Sequence, residues 1–223
     1  MEKRLGFFVA ATLTAFTIIN SGLLSSGPTE LLTQVTTAVG QLRENSDLQQ
    51  VRKVVLRARA VFIVPSLVSA KFVVGASGGN GVLMIRRQKG WSSPIFYTIR
   101  ADSLGLQAEL QNATLVMYIM SDKALSAMQK KVFRLGASSG TRVRKLGESN
   151  TDTDYLKSDI LFWTSAAPSS DPINLDGWMI KPRDEWTKTY YGRDVKADDI
   201  ISGKVKDAAP DRLGHELATL NPL

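Results

Sequence analysis

The chain has 223 residues, enough for one or two domains with a buried core. It has no cysteine and a single histidine, His215, which excludes disulfides, thiolate metal sites, a cysteine nucleophile and any multi-histidine metal centre. Its formal net charge is +7, and the excess is local: residues 27–100 hold 10 basic and 3 acidic side chains, residues 101–223 hold 16 and 17. Such an asymmetry favours an anionic partner: a phospholipid surface, a nucleic acid or an acidic protein. The alternative is a charge that serves solubility alone.

The first 26 residues have the grammar of a secretory signal. Lys3 and Arg4 precede an apolar run over residues 5–19, and small residues follow at Ser21, Gly22, Ser25, Ser26 and Gly27. The run is short for a membrane span, which takes about 20 residues. An uncleaved anchor and a buried N-terminal helix stay open as alternatives. Export to the periplasm or the outside is the expectation, with residues 27–223 as the mature part and peripheral membrane association.

Residues 30–44 read as a helix from Leu31, Leu32, Val35, Val39 and Leu42. Ser46 and Gln49 form a capping box that opens a second helix, running to about Arg59. Leu48, Val51, Val54, Val55 and Ala58 lie on one side of it. Lys53 and Arg57 point the other way, and Arg52 and Arg59 flank the apolar side. The result is a basic amphipathic helix, suited either to a bilayer interface or to packing on its own domain.

Strand signals follow at residues 61–64, 71–75, 82–87, 95–100, 104–110 and 114–121, close together and without helices between them. Such spacing predicts an antiparallel sheet. Four glycines in seven residues, Gly75, Gly78, Gly79 and Gly81, predict a tight reversal, a hairpin with a bulge. Ser121 caps a helix over residues 122–133. Strands are expected again at 141–146, 159–164 and 175–180, with loops at 147–154 and 166–172, and helical tendency returns at 198–202 and 210–220. The expected fold is a single α+β domain: N-terminal helices, then a largely antiparallel, barrel-like sheet with short helices added.

Several catalytic patterns fail on context. Gly75-Ala76-Ser77-Gly78-Gly79 fits a nucleophile elbow, but that motif needs a helix after its turn, and a strand follows here. The same glycines lack the Gly-Lys-Ser/Thr ending of a phosphate-binding loop. The acidic pairs Asp152/Asp154 and Asp198/Asp199 complete no calcium loop. Asp184 and Glu185 give no acid/base argument by adjacency alone. Arg142 and Arg144 alternate onto one sheet face.

The ordered landmarks Val61-Phe62-Ile63-Val64-Pro65, the glycine run with Val82-Leu83, Gly90-Trp91-Ser92-Ser93-Pro94 with Phe96-Tyr97, and Gly105-Leu106-Gln107 resemble the SYLF domain family. Residues 116–121 with the helix after them, and Tyr190-Tyr191-Gly192, extend the likeness, which covers about residues 48–203. It implies a non-enzymatic lipid-binding module, with an amphipathic helix contributing to phosphoinositide binding in eukaryotic members and actin binding in some. Two segments depart from the family pattern: Glu109-Leu110, and Ser169 to Ile173 before Leu175-Asp176-Gly177.

Charge and resemblance together nominate Arg52, Lys53, Arg57, Arg59, Arg86, Arg87, Lys89 and Trp91 as a surface for anionic phospholipid. Gly75, Gly78, Gly79 and Gly81 are the structural turn. No catalytic residue, cofactor, metal or nucleic acid is expected. The alternative is an envelope protein with a structural or interaction role and a protein partner.

Overall fold

Central strands that read as unbroken apolar runs must be covered on both faces. Ala60–Val64, Leu115–Ile119 and Ile160–Thr164 are such runs, and every residue in them is buried. The computed structural model describes residues 27–43, 48–69, 77–101, 112–147, 157–166, 174–205 and 212–220. The targeting segment 1–26, the expected strands 71–75 and 104–110, Gly75, the Asp152/Asp154 pair and both departures from the family pattern lie outside those residues.

The described strands are β1 (Ala60–Val64), β2 (Val68–Ser69), β3 (Ser77–Arg87), β4 (Gly90–Trp91), β5 (Ile95–Ala101), β6 (Leu115–Ile119), β7 (Phe133–Arg134), β8 (Val143–Lys145), β9 (Ile160–Thr164) and β10 (Met179–Pro182). The described helices are α1 (Pro28–Leu42), α2 (Leu48–Arg57), α3 (Asp122–Met128), α4 (Asp184–Tyr191), α5 (Ala197–Ile201) and α6 (Arg212–Thr219). The strands form one curled sheet in the order β7-β10-β5-β3-β1-β6-β9-β8, with β2 and β4 also paired to β3. All described pairings are antiparallel except β8 with β9, so the sheet is mixed at that edge.

Alternation along each strand sorts the core into two layers. Phe62, Val64, Leu83, Ile85, Tyr97, Ile99, Met117 and Phe162 face α3 and α5. Val61, Ile63, Val82, Met84, Phe96, Val116, Tyr118 and Leu161 face α1, α2 and α6. α1 begins with Pro28 in its first turn, where no N–H is needed, and buries Leu31, Val35, Ala38, Val39 and Leu42. The hydroxyl of Ser121 accepts the Ala124 N–H at 3.1 Å and caps α3 as expected.

Three differences from the sequence reading go beyond small shifts of end residues. α3 stops at Met128 instead of reaching Phe133, because Phe133 enters the sheet opposite Ile180. Residues 175–178 form a turn before β10. α4 was not foreseen, although Asp184 and Glu185 in its first turn and Gly192 in the left-handed region just past its end (φ 63°) are its start and stop signals.

The glycine run also divides. Val68 pairs with Gly78 and Ser69 with Ser77, so the chain reverses between Ser69 and Ser77. Gly78, Gly79 and Gly81 are not in that reversal but inside β3. A Cβ on Gly81 would stand 2.6 Å from both the Ile63 oxygen and Phe62 Cε2. One on Gly79 would stand 2.6 Å from the Ser66 oxygen and Val64 Cγ1. These glycines let the curled sheet bring its neighbours close, which is the other established use of glycine in a strand.

Candidate functional site

The basic amphipathic character of α2 has a structural outlet. Val51, Val54, Val55 and Ala58 are fully buried against the sheet and α1. From Val51 to Ala58 the apolar side of the helix is therefore spent on the domain, and it is closed to a bilayer. Lys53 and Arg57 stand exposed on the outer side, and between them Leu56 is 52% exposed. No acidic residue lies in the helix, and Arg57 in its last turn complements the helix dipole. Arg52 is half-buried, and its Nε has no hydrogen-bond partner among the described residues. Arg59, just past the helix, is exposed and pairs with the exposed Asp122 at 2.9 Å. A pair so wet contributes about 0–1 kcal/mol.

The β3–β4 hairpin closes the end of this helix. Arg86 donates from Nε to the Ala58 oxygen at 2.9 Å and from Nη2 to the Val55 oxygen. Both carbonyls lie at the C-terminal end of the helix, where Val55 also accepts the Ala58 N–H at 3.3 Å. Trp91 is the cross-strand partner of Arg86, and its ring lies 4.4 Å below the guanidinium carbon. Burial pulls the pKa of Arg86 down, yet an arginine stays charged at any physiological pH. Lys89 sits exposed in the hairpin turn. Arg86 thus ties the hairpin that carries Lys89 to the end of α2, whose outer side carries Lys53, Leu56 and Arg57.

Arg87 departs from that group. One residue further along β3, it points to the opposite face, where its guanidinium meets the Ile200 and Ile201 carbonyls at the end of α5. Of the eight nominated side chains, then, Arg86 and Trp91 form the joint, Arg87 anchors another helix, Arg52 is half-buried, Arg59 is exposed but paired with Asp122, and Lys53, Arg57 and Lys89 are the remaining exposed cations.

Other nominated groups have local structural roles. Asp199 accepts the Lys196 N–H at 3.1 Å at the start of α5, and Asp198 accepts from Gln129 Nε2 at 2.8 Å. Ser77 opens β3 opposite Ala101 and leads into strand, so the strand-turn-helix of a nucleophile elbow is not formed. His215 is exposed on α6. Arg142, Arg144 and Lys145 line a groove of about 470 Å³ between β8 and residues 174–176.

A second cationic region was missed from sequence. Arg100 on β5, Lys181 on β10 and Arg183 before α4 line an open groove of about 490 Å³. They come from distant segments, and only the pairing Lys181 to Thr98 and Met179 to Arg100 brings them to one place.

Known proteins give the context for this arrangement. A family model described as Las17-binding protein actin regulator, Ysc84, matches residues 100–220. The SH3 domain-containing YSC84-like protein 1 of Rattus norvegicus is 28% identical over 160 residues, which is 70% of this chain and 47% of that protein. The Homo sapiens protein of the same name is 27% identical over 154 residues (67% and 45%), and that of Xenopus laevis 26% over 157 (68% and 47%). The chain spans about half the length of the curated relatives it matches. No solved structure matches it. With more than half of its length matched by that model, the chain belongs to the Ysc84 family, the family of the SYLF domain.

Proposed function

We propose that this chain is a non-catalytic binding domain of an exported protein that docks on anionic phospholipid through the outer side of α2 and the β3–β4 turn. The observation that carries the reading is that Lys53 and Arg57 flank the exposed Leu56 on the outer side of α2, with the exposed Lys89 in the hairpin that Arg86 ties to the end of that helix. The attraction is electrostatic. Each basic side chain near an anionic surface contributes about 1 kcal/mol, and screening by salt weakens it. Insertion is limited to Leu56 and the rim of Trp91, because the apolar side of α2 is buried from Val51 to Ala58. Basic residues 3 and 4 before the apolar run 5–19 support export, which N-terminal sequencing of the mature protein tests.

Co-sedimentation with neutral and anionic vesicles at two salt concentrations tests the docking. The expected result is binding to anionic vesicles alone, reduced at high salt and reduced at least tenfold by joint Lys53→Ala, Arg57→Ala and Lys89→Ala. Equal binding to both vesicle types rejects the mechanism. A second reading has its own support: the matched family is described as actin-regulating and Las17-binding, so the same basic end would suit an acidic protein. That reading expects pelleting with actin filaments and indifference to vesicles.

A further inference from the structure

The helical layer that covers one face of the sheet does not cover all of it. Under α1, α2, α4 and α6 that face is apolar, with Val82, Met84 and Phe96. Further along the same alternation, β3, β5 and β10 present Asn80, Thr98, Arg100 and Lys181 instead. Four polar side chains in alternate positions of three paired strands make a built surface. At its side, Arg183 stacks on Trp186 with its guanidinium carbon 3.7 Å from the ring centre and donates to Asn80 Oδ1 at 2.8 Å. Asn80 Oδ1 also accepts from Thr98 Oγ1 at 3.1 Å. The guanidinium is thus held in place before any ligand arrives, which lowers the cost of ordering it on binding.

The groove also contains two carboxylates: Asp184 accepts the Ala197 N–H at 3.4 Å, and Glu185 lies near enough for its charge to act on Arg183. Arg100 and Lys181, in contrast, make no ion pair among the described residues. Three cations thus converge on an open groove of about 490 Å³, beside an apolar wall that includes Val132, 44% exposed, and Met179.

We infer that the groove bounded by Arg100, Lys181 and Arg183 is a binding site for a phosphate group, distinct from the α2 surface. Guanidinium forks match the oxygens of phosphate two at a time, and the lysine adds a mobile point charge. Val132 and Met179 would meet whatever apolar part the phosphate carries. The phosphate has two possible carriers, a lipid headgroup and a free phosphorylated solute, and the groove recognises what they share.

The test is a titration of the full chain with inorganic pyrophosphate, followed through the arginine side-chain N–H resonances. A saturable shift of the Arg100 and Arg183 signals is expected. Joint Arg100→Ala and Lys181→Ala should weaken binding at least tenfold; both side chains are exposed, so the fold survives their loss. The Lys53→Ala/Arg57→Ala/Lys89→Ala chain should bind pyrophosphate as the unaltered chain does, which keeps this site separable from the α2 surface. No saturable shift, or an Arg100/Lys181 variant that binds like the parent, overturns the inference. Vesicles with phosphorylated headgroups then identify the carrier. Vesicle binding that falls with the Arg100/Lys181 variant points to lipid; vesicle binding that is unchanged while pyrophosphate binding is lost points to a free solute.

Discussion

Arg86 and Arg87 are neighbours in the chain and serve opposite faces of the sheet. Each ends a helix by donating to its last carbonyls, Arg86 to α2 and Arg87 to α5. The helices they hold differ in charge. α2 has three basic residues and no acid, whereas α5 begins with Asp198 and Asp199 and has no base. One strand therefore ties down a basic helix on one face and an acidic one on the other. The comparison teaches that the cationic excess of residues 27–100 is not evenly spread over the fold, and that part of it is structural.

Substitutions on the two faces can break or sharpen that comparison. The largest effect is expected on the α3/α5 face, where Gly81→Ala would drive a Cβ into the Ile63 carbonyl and the Phe62 ring. A loss of about 3 kcal/mol is expected by urea unfolding. A loss below about 1 kcal/mol would show that the strands can part there.

Arg86→Ala comes next. It strips two carbonyls of a charged donor and removes the stack on Trp91, so a loss of about 2 kcal/mol is expected. Arg87→Ala should cost less, because its contacts with the end of α5 include a long one of 3.5 Å to the Ile201 carbonyl. Reversal of that order, read in the same unfolding curves, would reverse the roles assigned to the two arginines.

The smallest effect sharpens the contrast between the buried tyrosines. Tyr97, on the α3/α5 face, donates to the Met128 carbonyl at 2.8 Å. Tyr118, on the α2 face, is fully buried with no partner for its hydroxyl among the described residues. Burial pushes both phenols to higher pKa, helped at Tyr97 by the charges of Asp184 and Asp198. Tyr97→Phe should cost about 1 kcal/mol, and Tyr118→Phe should be neutral or stabilise by up to about 1 kcal/mol. Equal losses in thermal unfolding would reveal a partner for the Tyr118 hydroxyl.

What could be read in advance follows from the range of the forces involved. β1, β6 and β9 were legible because continuous apolar runs have few other solutions. α1 was legible from the spacing of Leu31, Leu32, Val35, Val39 and Leu42, and α3 because Ser121 marks its start locally. The glycines of β3 were misplaced because a reversal and a close strand contact ask for the same residue, and only the neighbour at 2.6 Å separates the two uses. Three of the eight nominated side chains, Arg52, Lys53 and Arg57, were legible as cations on a helix. That Arg86 and Arg87 would be occupied was not, since their partners lie 28 to 114 residues away.

From sequence alone came the α+β class, the family likeness, the basic helix and the charge concentrated before residue 101, all of which rest on local pattern or composition. Tertiary structure decided which side of α2 faces water, which arginines are tied to carbonyls, and that Arg100, Lys181 and Arg183 share a groove. The physical reason is that burial and pairing depend on strand register, and register joins residues that no local pattern connects.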